Sequence, residues 1–368
     1  MRVKYSYLEA QFADHRAIFE KIGEEVIKTG DYTLGKTVAE FEGLFAALIG
    51  TKYAVGVNSG TDALFLSLKA IGIGPGDEVI TAPNTFIATV GAIIASGATP
   101  VFVDVTDEYV INPDLIEKAI NKRTKALMPV HYAGVAADMD KIMDIARNHG
   151  LPVVEDSCQA ISASINSKNV GSFGVTGAFS MHPLKNLNVW GDSGLIVTDN
   201  EEIRDRLIML RNHGLRNRDE VDIYGYNSRL DSIQAVVGKH LIKDIDWITE
   251  TRIKWAQKLD AALAKLADNL FVPTRREHKR YVHHLYMFSA NDRDDLLHFL
   301  IDNNIEAKIH YPIPMHLQRC AALLGYKEGD FPVTERQAKS IITLPVHQHL
   351  KEEQVDYMVH KINEFYGK

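Results

Sequence analysis

Between residues 54 and 200 the chain alternates short β-branched runs with helical stretches, and this alternation limits the fold more than any other feature. Runs at 54–57, 78–81, 100–104, 125–129 and 152–155 read as strands, and 61–70, 88–96 and 139–148 read as helices. Parallel neighbours need a crossover to bring the chain back, so strand–helix–strand repetition predicts a mostly parallel central sheet covered by helices. Upstream, residues 7–29 are expected as one helix, with Phe12, Ile18, Phe19, Ile22 and Val26 on or near one face, and 36–49 as another. After Leu230 the texture changes. A helical region runs to about 266, followed by strands at 284–289 and 306–309, a helix at 293–303 between them, and a last helix from about 352. The expected fold class is α/β, with a large domain over 1–240 and a smaller C-terminal α+β domain over 241–368, in keeping with a length of 368 residues.

A net charge of −7 argues against a nucleic-acid binder, which needs a concentrated basic face. Cys158 and Cys320 are the only cysteines, too few for an iron–sulfur cluster, a four-sulfur zinc site or a disulfide framework. His347-Gln-His349 and His283-His284 have no nearby partners to complete a metal site, so no metal is expected. Neither a signal-peptide stretch nor a membrane-length apolar run is present, and a soluble cytoplasmic protein is expected.

Chemistry concentrates at the ends of the strands. Pro152-Val-Val-Glu-Asp156 ends a short strand in two carboxylates, and ligands of open α/β sheets bind where strands end. An isolated acid there could equally cap the next segment. About 29 residues on, Gly177-Ala-Phe-Ser-Met181 runs into His182-Pro-Leu-Lys185. A lysine in such an apolar stretch loses basicity and can form a Schiff base with an aldehyde cofactor. A pyridoxal ring is an electron sink while its nitrogen is protonated, and a carboxylate such as Asp156 favours that proton. Val57-Asn-Ser-Gly60-Thr61 leads from a strand into a helix, which suits a phosphate cradle or an ordinary helix cap. Gly72-Ile-Gly-Pro-Gly76 suits a tight turn and not a dinucleotide site.

Together these blocks resemble the fold-type I aminotransferases of the DegT/DnrJ/EryC/StrS family. The likeness spans nearly the whole chain, through Asn58-Ser-Gly-Thr-Asp-Ala-Leu64, Asn84-Thr-Phe-Ile-Ala88, Glu155-Asp156, Lys185-Asn-Leu187, Gly191-Asp-Ser-Gly194, Asn227-Ser-Arg-Leu-Asp231 and His310-Tyr-Pro-Ile-Pro314. The resemblance implies pyridoxal 5′-phosphate held covalently by Lys185, with Asp156 at the ring nitrogen, Gln159 at the ring hydroxyl and Phe86 stacked on the ring. Gly60, Thr61 and Ser180 would hold the phosphate. Asn227 would reach the phosphate of the neighbouring subunit in a homodimer with shared sites. His182, Trp190, His310 and Tyr311 are expected at the substrate, and Arg216, Arg218, Lys308 and Arg319 are candidate anion contacts. The implied reaction moves an amino group, usually from glutamate, to an oxo-sugar. The Gly-Asp-x-Gly loop looks like that of enzymes aminating C3 of a nucleotide-linked hexose; an oxo-octulosonic acid of lipopolysaccharide is the second acceptor. A dehydratase on this fold would replace the lysine or add an iron–sulfur cluster, and a non-catalytic regulator is the alternative of another class.

Overall fold

The protein is described over residues 1–367 by a computed structural model. Four strands lie in the order Tyr53–Val57, Gly194–Thr198, Thr176–Ser180 and Val154–Asp156, and three in the order Thr99–Phe102, Glu78–Thr81 and Thr124–Leu127. Parallel bridges from Leu127 to Val153 and from Val130 to Asp156 join the two groups. Glu78–Thr81 pairs in parallel with Thr99–Phe102, and Ile87–Ala95 makes the crossover between them. The α/β class and its mostly parallel sheet are as expected.

One strand runs the other way. Gly194–Thr198 is antiparallel to both neighbours. The chain between Ser180 and Gly194 is a loop without a helix, and it turns back beside the strand it has left. Sequence period does not mark this segment as a strand. All five of its residues are buried, so it lacks the in–out alternation that marks a half-exposed strand.

Two further expectations fail. Residues 7–29 form three pieces, Leu8–Asp14, Ile18–Ile22 and a π-helical turn Gly23–Ile27. Ile18, Ile22 and Val26 repeat every four residues and are buried, but Phe12 and Phe19 point elsewhere and are half exposed. Segment 306–309 is not a strand: Lys308 makes a single bridge to Thr343, and Pro312 and Pro314 just beyond lack the N–H a ladder needs.

Apolar clusters cover both faces of the sheet, one including Phe41, Phe45, Phe179 and Val236, the other Leu64, Ile93, Val154 and Ile196. A third gathers Val3 with Trp255, Tyr286, Phe288, Leu300 and Met358 around the sheet Leu270–Phe271, Tyr286–Ala290 and Ile341–Leu344. Among the described residues, no helix is long and apolar enough to cross a membrane.

Candidate active site

Strand pleating sends consecutive side chains to opposite faces, and this separates Glu155 from Asp156. Glu155 is fully buried and accepts from the backbone N–H groups of Gly171, Phe173 and Gly174, each at 2.7 Å, with His131 Nε2 at 2.9 Å. It is a structural anchor. Asp156 faces the other way. Its Oδ2 accepts from the Thr89 hydroxyl at 2.6 Å and its Oδ1 from the Cys158 N–H at 3.1 Å. Thr89 is itself paired with the Thr85 hydroxyl at 2.6 Å, so the carboxylate is held at both oxygens.

Lys185 stands on the loop that returns the chain to Gly194. The loop is pinned by Met181 N–H to Ser193 O and Lys185 N–H to His182 O, both 2.8 Å, and the Tyr7 hydroxyl donates to Lys185 O at 2.7 Å. Among the described residues, no hydrogen bond or ion pair engages the Lys185 ammonium. Burial holds its pKa below the ordinary lysine value, opposed by Cys158 and by the Asp156 carboxylate. A lysine so placed keeps a larger neutral fraction, which is the nucleophilic form.

A cavity of about 350 Å³ opens around Lys185. Gly60, Thr61 and Ser180 line one side, Phe86, His310 and Tyr311 another, and His182 stands near the lysine. Ser59 caps the helix Gly60–Ala70, its hydroxyl accepting from Asp62 N–H at 3.1 Å, so the positive end of the helix points into the cavity. The turn tolerates no larger residue: a Cβ on Gly60 would lie 2.5 Å from Ser180 Cβ, and one on Gly194 would lie 2.2 Å from Ser59 O. The Phe86 and Tyr311 rings are 5.7 Å apart. Burial and the Lys308 and Lys185 charges lower the His310 pKa to about 4, and burial raises that of Tyr311 to about 12. Burial also lowers that of His182.

Other named residues stand outside this cavity. Neither Asp156 nor Gln159 is part of its lining, and the Gln159 Oε1 accepts from Ala133 N–H at 2.8 Å. Trp190 is directed away, into a cluster with Phe12 and Phe19, its ring 5.5 Å from that of Phe19; the substrate contact expected of it is not met in this cavity. Asn227 is exposed and bridges to Asn212. Arg216 is paired with Asp222 at 2.6 Å, and Arg218 and Arg319 are exposed away from the cavity. Of the four anion candidates only Lys308 lines it, its Nζ 4.5 Å from the centre of the Tyr5 ring. Sequence reading missed Tyr5, Tyr7, Thr89 and His284. All are ordinary residue types whose partners lie far along the chain, so no local signal marks them.

Pyridoxal phosphate fits these residues. The unpaired amine of Lys185, the fixed carboxylate of Asp156 and the closed turn at Gly60 before a helix N-terminus supply an aldehyde-binding group, a ring-nitrogen partner and a phosphate cradle. Comparison with known proteins agrees. The sequence profile of the DegT/DnrJ/EryC1/StrS aminotransferase family matches residues 15–363. A Geobacillus stearothermophilus protein named pleiotropic regulatory protein is 40% identical over 100% of this chain and 99% of its own. The dTDP-3-amino-3,4,6-trideoxy-alpha-D-glucose transaminase of Streptomyces venezuelae is 39% identical over 99% of this chain and 96% of its own. The crystal structure of S. venezuelae DesV in complex with a ketimine intermediate superposes with a TM-score of 0.97 at 38% identity, covering 100% of this chain and 99% of that one.

Proposed function

This chain belongs to the DegT/DnrJ/EryC1/StrS aminotransferase family, and we propose that it transfers an amino group from L-glutamate to C3 of a nucleotide-linked 3-oxo-6-deoxyhexose. It is an enzyme, a pyridoxal-phosphate-dependent aminotransferase. The observation that carries the choice of acceptor is the loop 191–194, likened to that of C3-aminating enzymes: its Asp192 lines the Lys185 cavity. The S. venezuelae relative, named for a 3-amino nucleotide sugar, supports the same choice.

The bound cofactor supplies an aldehyde that takes up the amine and a ring that spreads the charge left when the donor's Cα–H bond breaks. Lys185 Nζ, kept partly neutral by burial, accepts that proton. Asp156, fixed by Thr89 and Cys158, holds the proton on the ring nitrogen. Gly60, Thr61 and Ser180 bind the phosphate with the helix N-terminus, and Phe86 and Tyr311 wall the cavity against water.

Among the described residues of one chain, Lys308 is the single lysine or arginine besides Lys185 that lines this cavity. In this reading the second subunit of a homodimer completes the site, its Asn227 reaching the cofactor phosphate of its neighbour. Mixing Lys185→Ala chains with Asn227→Ala chains should then restore activity through hybrid dimers; failure to complement, with subunit exchange verified, would mean self-contained sites. The lone Lys308 also favours a second reading, an octulosonic acid whose one carboxylate it would clamp. A reverse assay separates the two. Offered amino sugars, the pyridoxal form should convert to pyridoxamine phosphate with a 3-amino nucleotide hexose, and turnover of 8-amino-octulosonate alone would establish the second reading instead.

A further inference from the structure

A lysine stem is flexible, and among the described residues nothing bonds the Lys185 amine, so its aim is set by the backbone it grows from. That backbone lies in the loop 181–193, outside any helix or strand. The Lys185 N–H is held within the loop, by His182 O at 2.8 Å. Its carbonyl is held from outside. Among the described residues the one donor to it is the Tyr7 hydroxyl, 2.7 Å away and 178 residues distant in sequence. Tyr7 therefore fixes the peptide group that follows the lysine.

Tyr7 itself has little freedom. It is buried, with its ring centre 5.2 Å from that of His347, 5.6 Å from that of His349 and 5.5 Å from the Arg252 guanidinium. Arg252, on the helix Ile245–Leu263, is 2% exposed, and its Nη1 donates to His283 O at 3.1 Å and Val346 O at 2.8 Å. A buried cation is ordinarily matched by an acid, because its desolvation is costly. No carboxylate pairs with Arg252 among the described residues; carbonyls and an aromatic face answer it instead, which commits its rigid fork to one geometry. The segment around Tyr7 is tied to the C-terminal domain as well. Val3 N–H donates to Asn304 O at 2.9 Å, Tyr5 N–H to Glu306 Oε2 at 2.9 Å, and His347 Nε2 to Lys4 O at 3.2 Å. Asp156 is thus set by the central sheet and Thr89, and Lys185 by a separate frame that must match it to a fraction of an ångström. We infer that Tyr7 is a positioning residue for Lys185 and that Arg252 clamps Tyr7, so that the N-terminal segment and the C-terminal domain together aim the reactive amine. The inference rests on Lys185 as the lysine that carries the cofactor.

Tyr7→Phe, which keeps the ring and removes one hydroxyl, tests it beside Tyr357→Phe. The Tyr357 hydroxyl donates to Asn303 O at 3.1 Å, the same kind of bond away from the cavity. In the cofactor-loaded enzyme, Tyr7→Phe should lower the limiting rate of amine uptake from glutamate about tenfold, with the half-saturating glutamate concentration nearly unchanged. At unchanged cofactor content, its visible circular dichroism should fall, because a looser lysine leaves the chromophore less fixed. Tyr357→Phe should lower the melting temperature by a similar amount and leave rate and dichroism at parent values. Arg252→Lys keeps the charge and loses the fork, so it should repeat the Tyr7→Phe changes in lesser degree. Parent-like rate and dichroism in Tyr7→Phe or in Arg252→Lys, or equal losses in the two tyrosine variants, would overturn the inference and leave the transaminase assignment intact. Borohydride reduction that fixed the cofactor to a residue other than Lys185 would overturn the inference together with the reading beneath it.

Discussion

Glu155 and Asp156 are adjacent carboxylates on one strand, and the two faces they enter differ in how fully the protein answers them. Behind the sheet, Glu155 receives three backbone N–H groups and a histidine nitrogen. In front, Asp156 receives one hydroxyl and one N–H, and shares its surroundings with an unpaired lysine. The first arrangement is complete and binds loops together. The second is incomplete, and incompleteness in a buried charge is tolerable where a ligand finishes it. Burial alone therefore does not distinguish structural from functional acids in this protein; the number of unfilled partners does.

The sharpest test acts on the front face. Lys185→Ala should slow formation of 2-oxoglutarate from glutamate by about 10³-fold or more, since proton transfer and covalent attachment are lost together. Its melting temperature should hold or rise, because a desolvated amine with no partner is removed. Parent-like turnover would break the contrast outright.

The paired carboxylates sharpen it. Asp156→Asn should lower the rate by about 10²-fold with little change in stability, as a neutral partner no longer favours the ring-nitrogen proton. Glu155→Gln should do the reverse, costing about 2–4 kcal/mol in urea unfolding while leaving the rate per folded molecule within a few-fold. If the two swap effects, the assignment of faces is wrong.

The smallest effect is a pH dependence. The folded His310 pKa of about 4 lies below the unfolded value of about 6.5. The unfolded chain then binds more protons between those values, so this contribution to stability is whole above about pH 6.5 and is lost as pH falls through about 4. Stability of His310→Gln, measured by urea unfolding between pH 7 and 4, should fall less steeply than that of the parent. Parallel curves would show that His310 titrates normally.

Much of the architecture was legible because it rests on local period. The alternation over 54–200 predicts parallel strands and crossover helices, and Ser59 before Gly60 predicts the helix start at the cavity. Asp156 was legible as a candidate because it ends a recognisable strand, and Lys185 because it follows one. Thr89 and Tyr7 were not: Thr89 meets Asp156 across 67 residues and Tyr7 meets Lys185 across 178. Trp190 misled for the same reason. An aromatic residue near the lysine suits a substrate wall, but its direction was settled by Phe12 and Phe19, which the chain brings from a broken helix.

By itself the sequence determined the fold class, the strand ends and the candidate pair Asp156 and Lys185, because hydrophobic period and residue chemistry act within a few positions of one another. Only the tertiary structure decided which of two neighbouring carboxylates lies on the Lys185 side of the sheet, which way Gly194–Thr198 runs, and which of four candidate cations lines the cavity. Those outcomes depend on pleat phase, on the course of the loop before Gly194 and on contacts between distant segments. None of these is written in any short stretch of residues.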